Sequence, residues 1–132
     1  MTKTQLTAML GWAEAFEPRN GLVMAKALWS GVGKLNFAGG SDKPLIIIPP
    51  EVRRRTQPFT LAFVLHPGTG YRDLQTGEWE GPILAAGDLV VADQYVAYEL
   101  EFEGSRVNFL PESRCLAVVR DYSLDTLLEL VE

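Results

Sequence analysis

Apolar residues recur at helical spacing from the start of the chain, at Leu6, Met9, Leu10, Ala13 and Phe16. Thr2 or Thr4 is placed to cap this predicted helix and Pro18 to end it. Gly11 costs about 1 kcal/mol relative to alanine, so the helix depends on docking its apolar face. The period then shortens. Residues Gly21 to Leu28 predict a short apolar strand, and Phe59 to Leu65 (FTLAFVL) is apolar at nearly every position, as in a strand buried on both faces. Leu89 to Ala92 predicts another. The clearest alternation sets Val96, Tyr98, Leu100 and Phe102 against Ala97, Glu99, Glu101 and Glu103, giving one apolar and one acidic face. Gly104-Ser105 suits a type II′ turn into Arg106-Val107-Asn108-Phe109. Leu116 to Val119 predicts a last strand, after which Ser123 can cap a C-terminal helix with Leu124, Leu127, Leu128 and Val131 on one face.

The connections carry as much information as the strands. Trp29 to Lys43 (WSGVGKLNFAGGSDK) has four glycines and no steady period, the composition of a flexible loop. Loops of this length in a compact domain are mostly functional or disordered. This one runs into Pro44-Leu45-Ile46-Ile47-Ile48-Pro49-Pro50, an apolar patch bracketed by prolines. Its alternatives are a buried core strand and an exposed docking segment, and the flanking prolines disfavour central strand pairing. Further on, HPGTGYRDLQTGEWEGP predicts a hairpin with Gln75-Thr76-Gly77 at its tip and Tyr71 and Trp79 on its arms. Short strands with frequent turns predict a mainly β protein, a small barrel or sandwich with short helices only at its ends.

Composition narrows the classes. The chain has 132 residues, 47% hydrophobic and 22% charged, and its formal net charge is −5, consistent with one folded domain. Residues 1–58 hold eight Lys and Arg against four Asp and Glu, whereas residues 59–132 hold four against thirteen. So acidic a chain is a poor nucleic-acid binder. Arg53-Arg54-Arg55 is the one local exception, read as a solvated loop or an anion or partner contact. No apolar run is long enough to span a membrane, and Glu14 and Glu17 interrupt any signal-peptide core, so a cytoplasmic location is expected.

Candidate chemistry is sparse. One cysteine, Cys115, and one histidine, His66, leave no disulfide framework and no thiolate zinc cage. Cys115 is expected to pack and His66 to end a strand. GVGK at Gly31 to Lys34 lacks the upstream glycine spacing of a phosphate loop and is followed by Leu35 rather than Ser or Thr. No G-x-S-x-G elbow supplies a nucleophile for His66. Glu99, Glu101 and Glu103 share a strand face, which would permit carboxylate chemistry or cation binding but fits a solvated outer face better. The expectation is therefore a non-enzyme with no catalytic residues, no metal and no cofactor.

In the second half, the order Ala86-Gly87-Asp88, Leu89-Val90-Val91, Tyr95, Glu99-Leu100-Glu101-Phe102-Glu103-Gly104, Val107 to Leu110, and Cys115-Leu116-Ala117-Val118-Val119 resembles the GroES family of co-chaperonins. Pro44 to Pro49 is similar to that family's G-G-I-V-L-P loop end, and Phe59 to Gly70 to its G-E-V-hydrophobic-A-V-G strand. The resemblance implies a GroES-like β-barrel at residues 18–120, with a mobile loop at 29–48 and a roof hairpin at 71–81. Residues 1–17 and 121–132 stand outside it as helical extensions, which suggests a divergent, phage-encoded kind of member.

The resemblance further implies a heptameric ring in which the first and last strands pair between neighbours. Such a ring caps a GroEL-type chaperonin in a nucleotide-dependent manner and encloses unfolded client protein. Leu45, Ile46, Ile47 and Ile48 would grip the chaperonin, and Tyr71, Asp73, Glu78 and Trp79 would belong to the roof. The location would be the cytoplasm, that of the host for a phage protein. The alternative is a non-catalytic monomeric β-barrel module binding a protein or oligonucleotide. A zinc-bearing dehydrogenase with a GroES-like domain is a third class, but the chain has neither the length nor the ligands for it.

Overall fold

The computed structural model describes residues 1–31, 59–93 and 98–131. Helix α1 (Lys3–Ala13) begins in a reciprocal cap. The Thr2 hydroxyl accepts from the Gln5 N–H at 3.2 Å, and the Gln5 side-chain oxygen accepts from the Thr2 N–H at 2.7 Å. The face predicted to dock does so, with Leu6, Met9 and Ala13 buried.

Six strands form one antiparallel sheet: β1 (Leu22–Gly31), β2 (Phe59–His66), β5 (Leu89–Asp93), β6 (Tyr98–Phe102), β7 (Ser105–Pro111) and β8 (Cys115–Val119). Their order is β6-β7-β1-β2-β5-β8. Between β2 and β5 a separate two-stranded ribbon pairs β3 (Tyr71–Arg72) with β4 (Trp79–Glu80). Helix α2 (Leu124–Val131) ends the described chain, and the Ser123 hydroxyl accepts from the Thr126 N–H at 3.3 Å as its cap. The protein is mainly β, with the expected helices at both ends and a small GroES-like β architecture.

The sheet is covered on both faces, which explains the apolar run in β2. Phe63 and Leu65 join Met24, Val107 and Leu6 and Met9 of α1 in one cluster, while Phe59 and Leu61 join Leu89, Val91 and Leu127 of α2 in another. Ala62 and Val64 point the other way, into an interior cluster with Val23, Ala25, Val90, Ala92 and Leu110. Cys115 and Val118 of β8 also pack there, so strands from opposite sides of the sheet meet around one interior. The Ala-Gly-Asp motif is bonded to β2 at Val64. Asp88, nearly buried, accepts from the Ala85 N–H at 2.9 Å and faces Arg120 at 3.5 Å, while Gly87 N–H donates to the Val64 C=O.

Three expectations change. Trp29 to Gly31 belong to β1 rather than to a loop, because they pair with Leu61, Thr60 and Phe59. A Ser30–Thr60 hydroxyl bond at 2.9 Å and ring contact of Trp29 with Phe59 outweigh the glycine-rich composition. The β6–β7 turn has Glu103 (φ 53°) and Gly104 (φ 73°) at its centre, a type I′ pattern rather than type II′ on Gly104-Ser105. Glu103 therefore leaves the strand face shared by Glu99 and Glu101. The apolar face of β6 is mostly open: Tyr98 and Leu100 are exposed, and only Phe102 is covered, by Trp12 and Phe16. An edge strand has one neighbour, and here only its far end reaches the N-terminal segment. In the sheet β1 lies between β7 and β2, but β7 pairs only with Leu22 to Ala25, and the rest of β1 is paired on the β2 side alone; β8 has one sheet neighbour, β5, among the described residues.

Candidate functional site

The hairpin at 71–81 is built by a few local bonds. The Asp73 carboxylate accepts from the Gln75 N–H at 2.8 Å and the Thr76 N–H at 3.3 Å, folding the chain back on itself. Asp73 N–H then donates to the Glu78 C=O at 2.8 Å, and Gly77 N–H to the Asp73 C=O at 2.7 Å. Asp73 is thus a turn-forming residue, with its carboxylate turned to its own backbone, while Glu78 stays exposed.

Pairing sets Tyr71 opposite Glu80 and Arg72 opposite Trp79. Directly opposed residues share a face, so Tyr71 and Trp79 project from opposite faces of the ribbon and cannot both meet one neighbour flat-on. Trp79 is 60% exposed, and Leu74 at the tip is 97% exposed. Leu74 was not among the predicted site residues, although an apolar side chain beside a turn-forming Asp is a readable signal.

The base of the hairpin requires glycine. At Gly70, φ is +88° and a Cβ would lie 2.0 Å from the Glu80 carbonyl oxygen. Gly70→Ala is expected to cost about 1–3 kcal/mol from left-handed strain, with more from the clash, read as a lower urea midpoint. The neighbouring His66 ends β2 as expected, its Nδ1 accepting from the Gly68 N–H at 3.0 Å.

The second predicted site begins where β1 and β2 part. Gly31 pairs with Phe59, so residues 32–58 connect two adjacent antiparallel strands. Leu45, Ile46, Ile47 and Ile48 lie in that connection, outside the described residues, as do Lys34 and Arg53 to Arg55.

Reactive groups are muted. Burial, and then the nearby Glu112, push the Cys115 thiol up to about 11, leaving only a trace of thiolate at neutral pH. Burial, and then Asp88, raise Tyr122 to about 12, and its hydroxyl donates to the Gly87 C=O at 2.7 Å. Among the described residues no cluster of three His, Cys, Asp or Glu is arranged to hold a metal ion. No described helix is long and apolar enough to cross a membrane.

Comparison with known proteins bears directly on these features. No protein-family profile matches the chain. Individual relatives do: it is 35% identical over 74 residues to the co-chaperonin GroES of Bacillus cereus strain B4264, covering 56% of this chain and 74% of that one. The co-chaperonin GroES of Bacillus anthracis strain CDC 684 matches with the same identity and coverage. The chain belongs to the GroES family. As a member it carries more residues than the shared portion, since 44% of its length lies outside the matched segment. Both relatives are described as co-chaperonins.

Proposed function

We propose that this GroES-family protein is a co-chaperonin lid: a ring of identical subunits that binds a GroEL-type chaperonin when nucleotide is bound and encloses unfolded protein. The observation that carries this reading is the 35% identity across 74% of a GroES chain. In this reading Leu45 to Ile48 grip the chaperonin, and the hairpin of Tyr71, Asp73, Glu78 and Trp79 forms the roof. Heptameric assembly, a cytoplasmic location and phage origin belong to the same proposal.

The energetics suit a reversible lid. Burying four large aliphatic side chains contributes roughly 6–12 kcal/mol gross per connection. Ordering the connection offsets much of that at roughly 1–2 kcal/mol per backbone residue. A single subunit then binds weakly, while several on one ring gain roughly 10²–10⁴ through effective concentration. Ring formation is supported by the outer edge of β8, which has no strand partner among the described residues and where Leu116 is 70% exposed. An unpaired apolar edge in a solution protein is a surface awaiting a partner.

Chaperonin-assisted refolding tests the function. With a chaperonin, ATP and a denatured client that needs encapsulation, adding this protein is expected to raise the folded yield several-fold. No gain across a panel of GroEL-type chaperonins, including that of Bacillus cereus, would reject the lid and leave a binding module.

A further inference from the structure

We propose that the cleft beside Glu112 is a recognition site for a lysine or arginine side chain presented by a protein partner. Glu112 opens the 3₁₀ turn between β7 and β8 and is only 8% exposed. Its N–H donates to the Gly21 C=O at 2.8 Å, and its Oε1 accepts from the Ile83 N–H at 3.1 Å. Its other carboxylate oxygen has no hydrogen-bond or ion-pair partner among the described residues. The arginines on either side of β8 are engaged elsewhere, Arg114 with Asp93 at 3.9 Å and Arg120 with Asp88 at 3.5 Å. A buried carboxylate held by one neutral donor is poorly compensated, and a cation is the partner that compensates it best.

The space next to it fits such a partner. A cleft of about 300 Å³ is lined by Asn20, Tyr71, Ile83, Pro111, Glu112 and Ser113. Tyr71 and Ile83 are 45% and 72% exposed, large apolar walls with little of the protein against them. An apolar channel with a carboxylate at its floor suits a side chain with an aliphatic stem and a charged tip. The acidic balance of residues 59–132, four bases against thirteen acids, draws positively charged protein segments toward this half of the molecule. The site does not depend on the lid function, since every contact lies within the described fold.

Titration of the isotope-labelled full chain with Nα-acetyl-lysine methylamide tests it, with the neutral norleucine analogue as control. Saturable amide shifts are expected at Gly21, Ile83 and Ser113, with the norleucine analogue producing none. Glu112→Gln keeps an oxygen for the Ile83 N–H and should weaken binding about tenfold or more, the loss of a charged hydrogen bond. Ile83→Ser alters an exposed wall, leaves the core intact, and should weaken binding about threefold. No shifts in the wild type, equal binding of norleucine, or undiminished binding by Glu112→Gln would overturn the site. Should Glu112→Gln lose its native spectrum, Ile83→Ser decides: weaker binding upholds the site and unchanged binding rejects it.

Discussion

Exchanging Ile47 for Asp is expected to abolish stable binding to a chaperonin while leaving the protein's own assembly unchanged. The exchange removes an aliphatic side chain worth roughly 1.5–3 kcal/mol on burial and puts a carboxylate in its place, which costs more to desolvate. Around a ring the loss repeats in each subunit, so the avidity that makes weak contacts useful falls steeply. Gel filtration with chaperonin and nucleotide reads binding, and gel filtration alone reads assembly. An Ile47→Asp protein that aggregates or fails to assemble would make Leu45 to Ile48 a core strand and remove them from the docking role.

Deleting residues 1–17 is the second change with a large expected effect, because the extension is built into the core. Leu6, Met9 and Ala13 are fully or almost fully buried against Met24, Phe63, Leu65 and Val107, and Trp12 and Phe16 cover Phe102 at the end of β6. Burial of Leu6 and Met9 alone is worth about 1.5–3 kcal/mol each, and their loss also uncovers their partners. Against a typical total stability of about 5–15 kcal/mol, the truncated chain is expected to unfold or aggregate. A milder version, Leu6→Ala, should cost about 2–5 kcal/mol as a cavity, measured as a shift in the urea midpoint at unchanged slope. A truncated protein with the wild-type midpoint would show the extension to be an appendage.

How far the sequence reveals these features depends on how local their causes are. Helix α1 is legible because its cap and its buried face lie within a dozen residues, and Thr2, Leu6, Met9 and Ala13 all behave as their spacing predicts. The strands β2, β5, β7 and β8 are legible to within a residue or two for the same reason. Trp29 to Gly31 are not, since their strand state comes from Phe59 to Leu61, some thirty residues away in sequence. The alternation of β6 correctly reveals a strand and misleads about burial, because period alone cannot tell an edge strand from one under a helix. At the hairpin, Asp73 and Glu78 were legible as members, but only geometry shows that the Asp73 carboxylate serves the turn. Glu112 carries no signal at all in the sequence; its placement depends on hydrogen bonds with Gly21 and Ile83, which lie in distant segments. The proposed docking patch at Leu45 to Ile48, by contrast, rests on composition and proline placement alone.

Native mass spectrometry of the protein alone, and then with a chaperonin in the presence and absence of ADP or ATP, tests the lid most directly. The account predicts a closed oligomer of about seven subunits, as expected of a ring with one repeated interface, joining the chaperonin as a unit only when nucleotide is present. A monomer or dimer that joins no chaperonin of the panel under any nucleotide condition would contradict it.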